Sequence, residues 1–130
     1  MAIGFAGSVA TLLEGCSSLP VYKTELKNEQ IFIPLSKFDA NQNFLLVRNN
    51  ELEFDIAIIK MGNNYKALYL QCTHQNQPLT LGEKKISCSV HGSIFSLDGS
   101  VLNGPADKPL QQFKTKIEAN QLRIEISKPN

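Results

Sequence analysis

The feature that most constrains the fold of this chain is a series of short runs of β-branched and aromatic residues. Turn residues separate these runs at intervals of roughly ten positions. Several runs alternate apolar and polar side chains, and none after residue 20 sustains a helical period. Gly62-Asn63-Asn64 and Ala119-Asn120-Gln121 are predicted hairpin turns, because Gly and Asn adopt positive φ at little cost. The sequence therefore predicts an all-β fold, an antiparallel β-sandwich or barrel. The predicted strands are 21–26, 30–35, 44–48, 54–61, 65–71, 79–81, 85–88, 94–97, 113–119 and 121–126.

Size and charge bound the possible functions. A chain of 130 residues suits a single domain. A net charge of +1, with 19% charged residues, gives no reason to expect a nucleic-acid partner. The chain has no tryptophan and no basic run interleaved with aromatic residues, which a groove for single-stranded nucleic acid would need. We therefore expect no nucleic-acid binding.

The cysteines and histidines occur in two pairs, Cys72-Thr73-His74 and Cys88-Ser89-Val90-His91. These pairs contain both histidines of the chain and two of its three cysteines. Three cysteines are an odd number, which does not suit a framework built only of disulfides. Thiolates and imidazoles are ligands of zinc and of iron-sulfur centres. The pattern therefore indicates a metal centre, with iron or zinc as the metal. A structural Cys2His2 zinc-binding interaction module is the alternative to an iron centre.

The mixed pairs, placed on two loops at one end of a β-hairpin, resemble those of the Rieske [2Fe-2S] family. The resemblance continues through residues 91–100 (HGSIFSLDGS), Gly104-Pro105-Ala106 and Pro109-Leu110. It implies an antiparallel β-sandwich of Rieske type, with a small cluster-binding subdomain formed by two loops at about residues 71–110. It also implies that Cys72 and Cys88 bind one iron of a [2Fe-2S] cluster while His74 and His91 bind the other.

The resemblance assigns roles to three further residues. Ser93 would hydrogen-bond a bridging sulfide, and Gly92 would let the backbone approach the cluster. Pro105 would hold an apolar lid over it. Ordinary turns are the alternative for both segments. In the family the outer imidazole nitrogens face solvent, so a redox partner protein is expected to dock at the His74/His91 end.

Three departures from the respiratory members of the family affect the expected reduction potential. The positions of their loop disulfide read Gln75-Asn76-Gln77 and Ser89-Val90, and Phe95 stands where they carry a tyrosine. The 13 residues at 75–87 make a short gap, which leaves a hairpin near Gly82-Glu83 open to question. With fewer hydrogen bonds to the cluster, the midpoint is expected in the lower half of the roughly −150 to +300 mV Rieske range.

The function that follows is one-electron transfer, by a stand-alone carrier or by the electron-transfer subunit of a larger oxidoreductase. An oxygenase component would need two further histidines and a carboxylate for a mononuclear iron. No histidine remains once the cluster is bound. The chain is therefore expected to have no catalytic site of its own.

Residues 1–20 are predicted to be a truncated export or lipoprotein segment and tether, followed by the Rieske domain at 21–130. Leu13-Glu14-Gly15-Cys16 resembles a bacterial lipoprotein box. Lipidation of Cys16 would attach the protein to a membrane, and the predicted location is exported, periplasmic or membrane-anchored. A cytoplasmic location, with a frayed N-terminal helix and a buried Cys16, is the alternative.

Overall fold

The computed structural model describes residues 19–38 and 43–126. Cys16 and nearly all of the predicted export segment lie outside the described residues. Within them are eleven strands and one 3-10 turn (Leu35–Lys37). The strands are β1 (Val21–Lys23), β2 (Gln30–Pro34), β3 (Phe44–Arg48), β4 (Ile56–Met61), β5 (Asn64–Tyr69), β6 (Thr80–Leu81), β7 (Ile86–Ser87), β8 (Ile94–Phe95), β9 (Val101–Asn103), β10 (Gln112–Glu118) and β11 (Gln121–Glu125).

The strands form two sheets. A seven-stranded sheet has the order β1-β3-β4-β5-β10-β11-β2, and a four-stranded sheet has the order β6-β7-β8-β9. The all-β prediction is confirmed. One pairing departs from the antiparallel rule, because β1 runs parallel to β3 with Val21 opposite Leu46. Strand β9 was not predicted, since its three residues carry no alternating pattern and a bulge interrupts its register with β8.

Both predicted hairpin turns are present. Gly62 connects β4 to β5 at φ +64°, while Ala119 and Asn120 connect β10 to β11 at φ +50° and +64°. Positive φ at both central residues of the second turn, and at the first central residue of the Gly62 turn, matches the twist of the flanking strands. The questioned hairpin is also formed, since Thr80 pairs with Ser87. Its turn is closed by the Gly82 N–H, which donates to the Lys85 carbonyl at 2.9 Å.

Strand β4 separates two hydrophobic clusters and contributes to both. Ile56 and Ile58 face one cluster, whereas Ala57 and Ile59 face the other, and all four are buried. A strand covered on both faces has no polar alternation, which explains the continuous apolar run in the sequence. The cluster on the Ala57 side extends beneath the four-stranded sheet and includes Cys72 and Cys88. The packing of the core thus reaches the predicted site.

Candidate metal centre

Two loops at the same end of the four-stranded sheet present the Cys-His pairs. Loop 1 (residues 71–78) joins β5 to β6 and is closed by a bridge between Gln71 and Pro78. The Cys72 N–H donates to the Gln77 carbonyl at 2.9 Å, and the Gln71 side-chain amide donates to Asn76 Oδ1 at 2.7 Å. These bonds stabilise the loop from within, at the position where respiratory relatives were expected to carry a disulfide.

Loop 2 (residues 88–93) joins β7 to β8 and is a tight turn. The Cys88 N–H donates to the Ser93 carbonyl at 2.9 Å, and the Gly92 N–H donates to the Cys88 carbonyl at 3.1 Å. Gly92 has φ +82°, a left-handed conformation that strains any residue with a Cβ. The turn therefore favours glycine at position 92, whether or not the backbone there approaches a bound group.

Both loop cysteines are buried and their side chains interact. Cys72 is 2% exposed and Cys88 is 3% exposed. Burial raises the pKa of the Cys72 thiol, but hydrogen bonds outweigh this effect and the net pKa is lowered. The bonds come from the backbone at Gln75 and His74 and from the side chains of Cys88 and Ser93. A stabilised thiolate is the form that binds metal ions.

The two histidines lie on the outer side of the same site. Both are exposed, and their ring centroids are 5.3 Å apart with the ring planes at 90°. Thiols therefore lie inside and imidazoles outside, at one end of the molecule. Among the residues that the structure describes, no three His, Cys, Asp or Glu side chains surround a single metal-ion position. The two cysteine thiols lie together in the core, and the two histidine imidazoles lie together at the surface.

A third segment, loop 3 (residues 104–109), connects the two ligand loops. The Ala106 N–H donates to Ser93 Oγ at 3.0 Å, and the Thr73 hydroxyl donates to the Lys108 carbonyl at 2.6 Å. Loop 3 is thus hydrogen-bonded to loop 2 through Ala106 and to loop 1 through Lys108. Sequence reasoning missed Thr73, because its partner is 35 positions away and is a backbone carbonyl without a residue-type signal.

Loop 3 also decides which side chain covers the site. Ala106 is 3% exposed, whereas Pro105 is exposed and follows a cis peptide bond from Gly104. The buried apolar residue of this segment is therefore Ala106. The covering role expected of Pro105 stays a prediction.

The turn between β8 and β9 is hydrogen-bonded to Leu110, the residue that follows loop 3. Asp98 Oδ1 accepts hydrogen bonds from the hydroxyls of Ser96 and Ser100, and from the Ser100 N–H at 3.0 Å. These bonds lower the pKa of Asp98 well below its usual range, chiefly through Ser96. Gly99 follows at φ +95°, and its carbonyl accepts the Leu110 N–H at 2.9 Å. The turn thereby anchors the end of loop 3.

The chain is similar to known proteins over most of its length. The family model described as Rieske [2Fe-2S] domain matches residues 23–114. The cytochrome b6-f complex iron-sulfur subunit of Chlorobaculum tepidum is 26% identical over 110 residues, which are 83% of this chain and 59% of that protein. This chain therefore spans less than two thirds of that relative.

Solved structures show the same fold at low sequence identity. The plasma membrane Rieske protein PetC3 from Synechocystis PCC 6803 has a TM-score of 0.59 at 21% identity, over 72% of this chain and 97% of that chain. The ferredoxin of carbazole 1,9a-dioxygenase from Nocardioides aromaticivorans IC177 has a TM-score of 0.58 at 13% identity, over 77% and 100%. The Rieske-type sandwich expected from the sequence is thus confirmed. Among the described residues, no helix is long and apolar enough to cross a membrane.

Proposed function

The chain belongs to the Rieske [2Fe-2S] domain family, and we propose that it transfers single electrons through a cluster held by Cys72, His74, Cys88 and His91. When bound, such a cluster takes up and releases one electron at a time. One observation carries the proposal: two buried, interacting thiols lie behind two exposed, neighbouring imidazoles. This order suits a cluster with its thiolate-bound iron in the core and its imidazole-bound iron at the surface.

Each ligand pair contributes differently to the proposed transfer. The thiolates of Cys72 and Cys88 would hold the cluster in the apolar core, where water is excluded. Electrons would enter and leave the cluster through the imidazoles of His74 and His91, because these are the exposed side chains of the site. A redox partner protein would therefore dock at the His74/His91 end.

Ser93 would stabilise negative charge on the sulfur atoms. Its Oγ accepts the Ala106 N–H, so the hydroxyl hydrogen is the atom that Ser93 can donate to sulfur. Ser93 is fully buried, and its side chain already hydrogen-bonds Cys72. Gly92 would let the backbone of loop 2 approach the cluster. Pro105 would hold loop 3 over the cluster as an apolar lid.

The proposed domain comprises residues 21–130, with the cluster-binding subdomain at about 71–110. It would work as a stand-alone carrier or as a subunit of a larger oxidoreductase, as the names of the cytochrome b6-f and carbazole dioxygenase relatives suggest. We further propose export and a lipid on Cys16. Mass spectrometry of the protein from its native host would detect that lipid, and a protein with Met1 intact in the cytosol would refute export.

Iron and sulfide analysis, together with EPR of the reduced protein, tests the cluster assignment. We expect two irons and two sulfides per chain and a Rieske-type signal. Cys88→Ser should abolish the signal, while the matched variant Cys16→Ser should retain it. A colourless protein with one zinc per chain would refute the proposal and favour the zinc module.

A further inference from the structure

The turns of the β4–β5 and β10–β11 hairpins lie at the same end of the seven-stranded sheet. Strands β5 and β10 are antiparallel, with Phe113 opposite Ala67, so the turn that precedes β5 lies beside the turn that follows β10. Loop 1 lies beyond the other end of β5. Because β5 has six residues, the two ends are separated by about 20 Å.

This hairpin end (residues 60–66 and 112–123) concentrates positive charge. It holds five basic side chains and one acidic side chain, Glu118, in a chain whose net charge is only +1. The rest of the chain therefore has more acidic than basic residues. The five basic residues are Lys60, Lys66, Lys114, Lys116 and Arg123.

Two carboxylates interact with these lysines, and both have stronger partners. Glu118 Oε1 accepts a hydrogen bond from Arg123 Nη1 at 3.0 Å, whereas Lys116 Nζ lies 3.6 Å away. Asp98 interacts with Lys66 more weakly than with the serine hydroxyls of its own turn. Both lysine ammonium groups can therefore bind a further anion.

A cleft of about 420 Å³ opens between β5 and β10 at the hairpin end. The printed register of the two strands ends at Phe113, and beyond it the Thr115 hydroxyl donates to the Tyr65 carbonyl at 3.2 Å. The residues that line the cleft include two lysines and no acidic residue. Ammonium and amide groups donate hydrogen bonds to phosphate oxygens. The donors around the cleft are Asn63, Asn64, Lys66, Gln112 and Lys116.

Two exposed apolar side chains lie beside these donors. Ile117 lines the cleft and is 48% exposed, while Met61 is 37% exposed and pairs with the lining residue Asn64. A soluble anion would not cover such side chains. The interface of a bilayer, in contrast, accepts apolar side chains and presents lipid phosphates at the same depth.

We propose that the hairpin end binds the surface of a membrane that contains anionic phospholipids, with a lipid phosphate in the cleft. Lys66 and Lys116 bind the headgroups, and Met61 and Ile117 enter the interface. The ligand loops then face away from the membrane, because loop 1 lies at the other end of β5. This contact depends neither on the cluster nor on a lipid at Cys16.

Flotation with lipid vesicles tests the proposal. The Cys16→Ser protein is used with its cluster in place, so that no lipid on Cys16 contributes to binding. We expect it to float with vesicles of phosphatidylcholine mixed with phosphatidylglycerol, and not with vesicles of phosphatidylcholine alone. The bound fraction should fall as salt rises from about 50 to about 500 mM, because salt screens the lysines.

Lysine variants locate the contact. One lysine near an anionic surface strengthens binding about fivefold. The double variant Lys66→Gln and Lys116→Gln should therefore weaken vesicle binding by about twentyfold. The matched control, Lys23→Gln and Lys27→Gln, removes the same charge from exposed positions at β1 and should weaken binding less than about twofold.

A second pair of variants tests the apolar contact at constant charge. Ile117→Ser should weaken vesicle binding by about threefold or more, because it removes a side chain that enters the interface. Val21→Ser changes a side chain that is 41% exposed on β1 and should leave binding unchanged.

The outcomes separate this proposal from the proposed electron transfer. Absence of flotation, equal flotation with both kinds of vesicle, or equal binding by the two double variants would overturn the membrane contact. Calorimetric binding of inorganic phosphate without flotation would also overturn it and would make the cleft a site for a soluble anion. Absence of the EPR signal would instead refute the cluster and would leave the vesicle result unaffected.

Discussion

Replacing Thr73 by valine removes the hydrogen bond between loop 1 and loop 3 while it preserves the shape of the side chain. Thr73 is half-buried, and the Thr73 Oγ1–Lys108 O distance is 2.6 Å. A neutral hydrogen bond contributes about 0.5–1.5 kcal/mol, and solvent can partly replace the lost donor at the exposed Lys108. We therefore expect Thr73→Val to lower the free energy of unfolding by about 1 kcal/mol. The melting temperature should fall by roughly 4 °C.

The position of this bond predicts a second effect, on retention of the cluster. Because it holds the loop that carries Cys72 and His74, its loss should ease local opening of the site. About 1 kcal/mol corresponds to a roughly fivefold larger open population. Loss of the visible absorbance in the presence of a chelator should accelerate by a similar factor.

A matched variant distinguishes this local effect from general destabilisation. Thr115 is also half-buried and donates to a backbone carbonyl, that of Tyr65, at 3.2 Å in the seven-stranded sheet. Thr115→Val should cost comparable stability yet leave the rate of cluster loss unchanged, and Thr73→Ser should behave like the unsubstituted protein. If Thr73→Val kept its cluster as long as Thr115→Val, the argument that loop 3 secures loop 1 would be wrong.

Four further outcomes are expected. The folded-state pKa of Asp98 lies below its ordinary value of 3.8. The stabilisation that ionised Asp98 provides is therefore present above about pH 4 and is lost as pH falls through the folded-state pKa. In Asp98→Asn, the free energy of unfolding measured in urea should fall less steeply as the pH is lowered. Ala119→Gly should raise the free energy of unfolding by about 1 kcal/mol by relieving the left-handed φ, whereas Lys114→Gly, in an exposed strand position, should lower it. Ser93→Ala should keep the cluster but lower the midpoint potential in voltammetry, and an unchanged potential would exclude a hydrogen bond from Ser93 to sulfur. Because Phe95 has no hydroxyl, the midpoint itself should fall in the lower half of the roughly −150 to +300 mV range, and a value near the upper limit would contradict that interpretation.

Local residue patterns were sufficient for most of the strands. The bounds of β3 match the predicted 44–48, because an apolar run between polar residues defines them locally. Strand β1 ends at Lys23, three residues before its predicted end, since its length depends on parallel pairing with β3. The bulged edge strand β9 shows the same dependence on a neighbouring strand.

The sequence by itself predicted the chemistry of this protein, because thiolates and imidazoles that occur in pairs are typical ligands of zinc and iron-sulfur centres. It also determined the turns at Gly62 and Asn120, because Gly and Asn adopt positive φ at little cost. Only the tertiary structure decided that the thiols are buried and the imidazoles exposed, and that loop 3 joins the two ligand loops through Thr73 and Ser93. These features arise from contacts between residues distant in the chain, and such contacts leave no periodic pattern in the sequence.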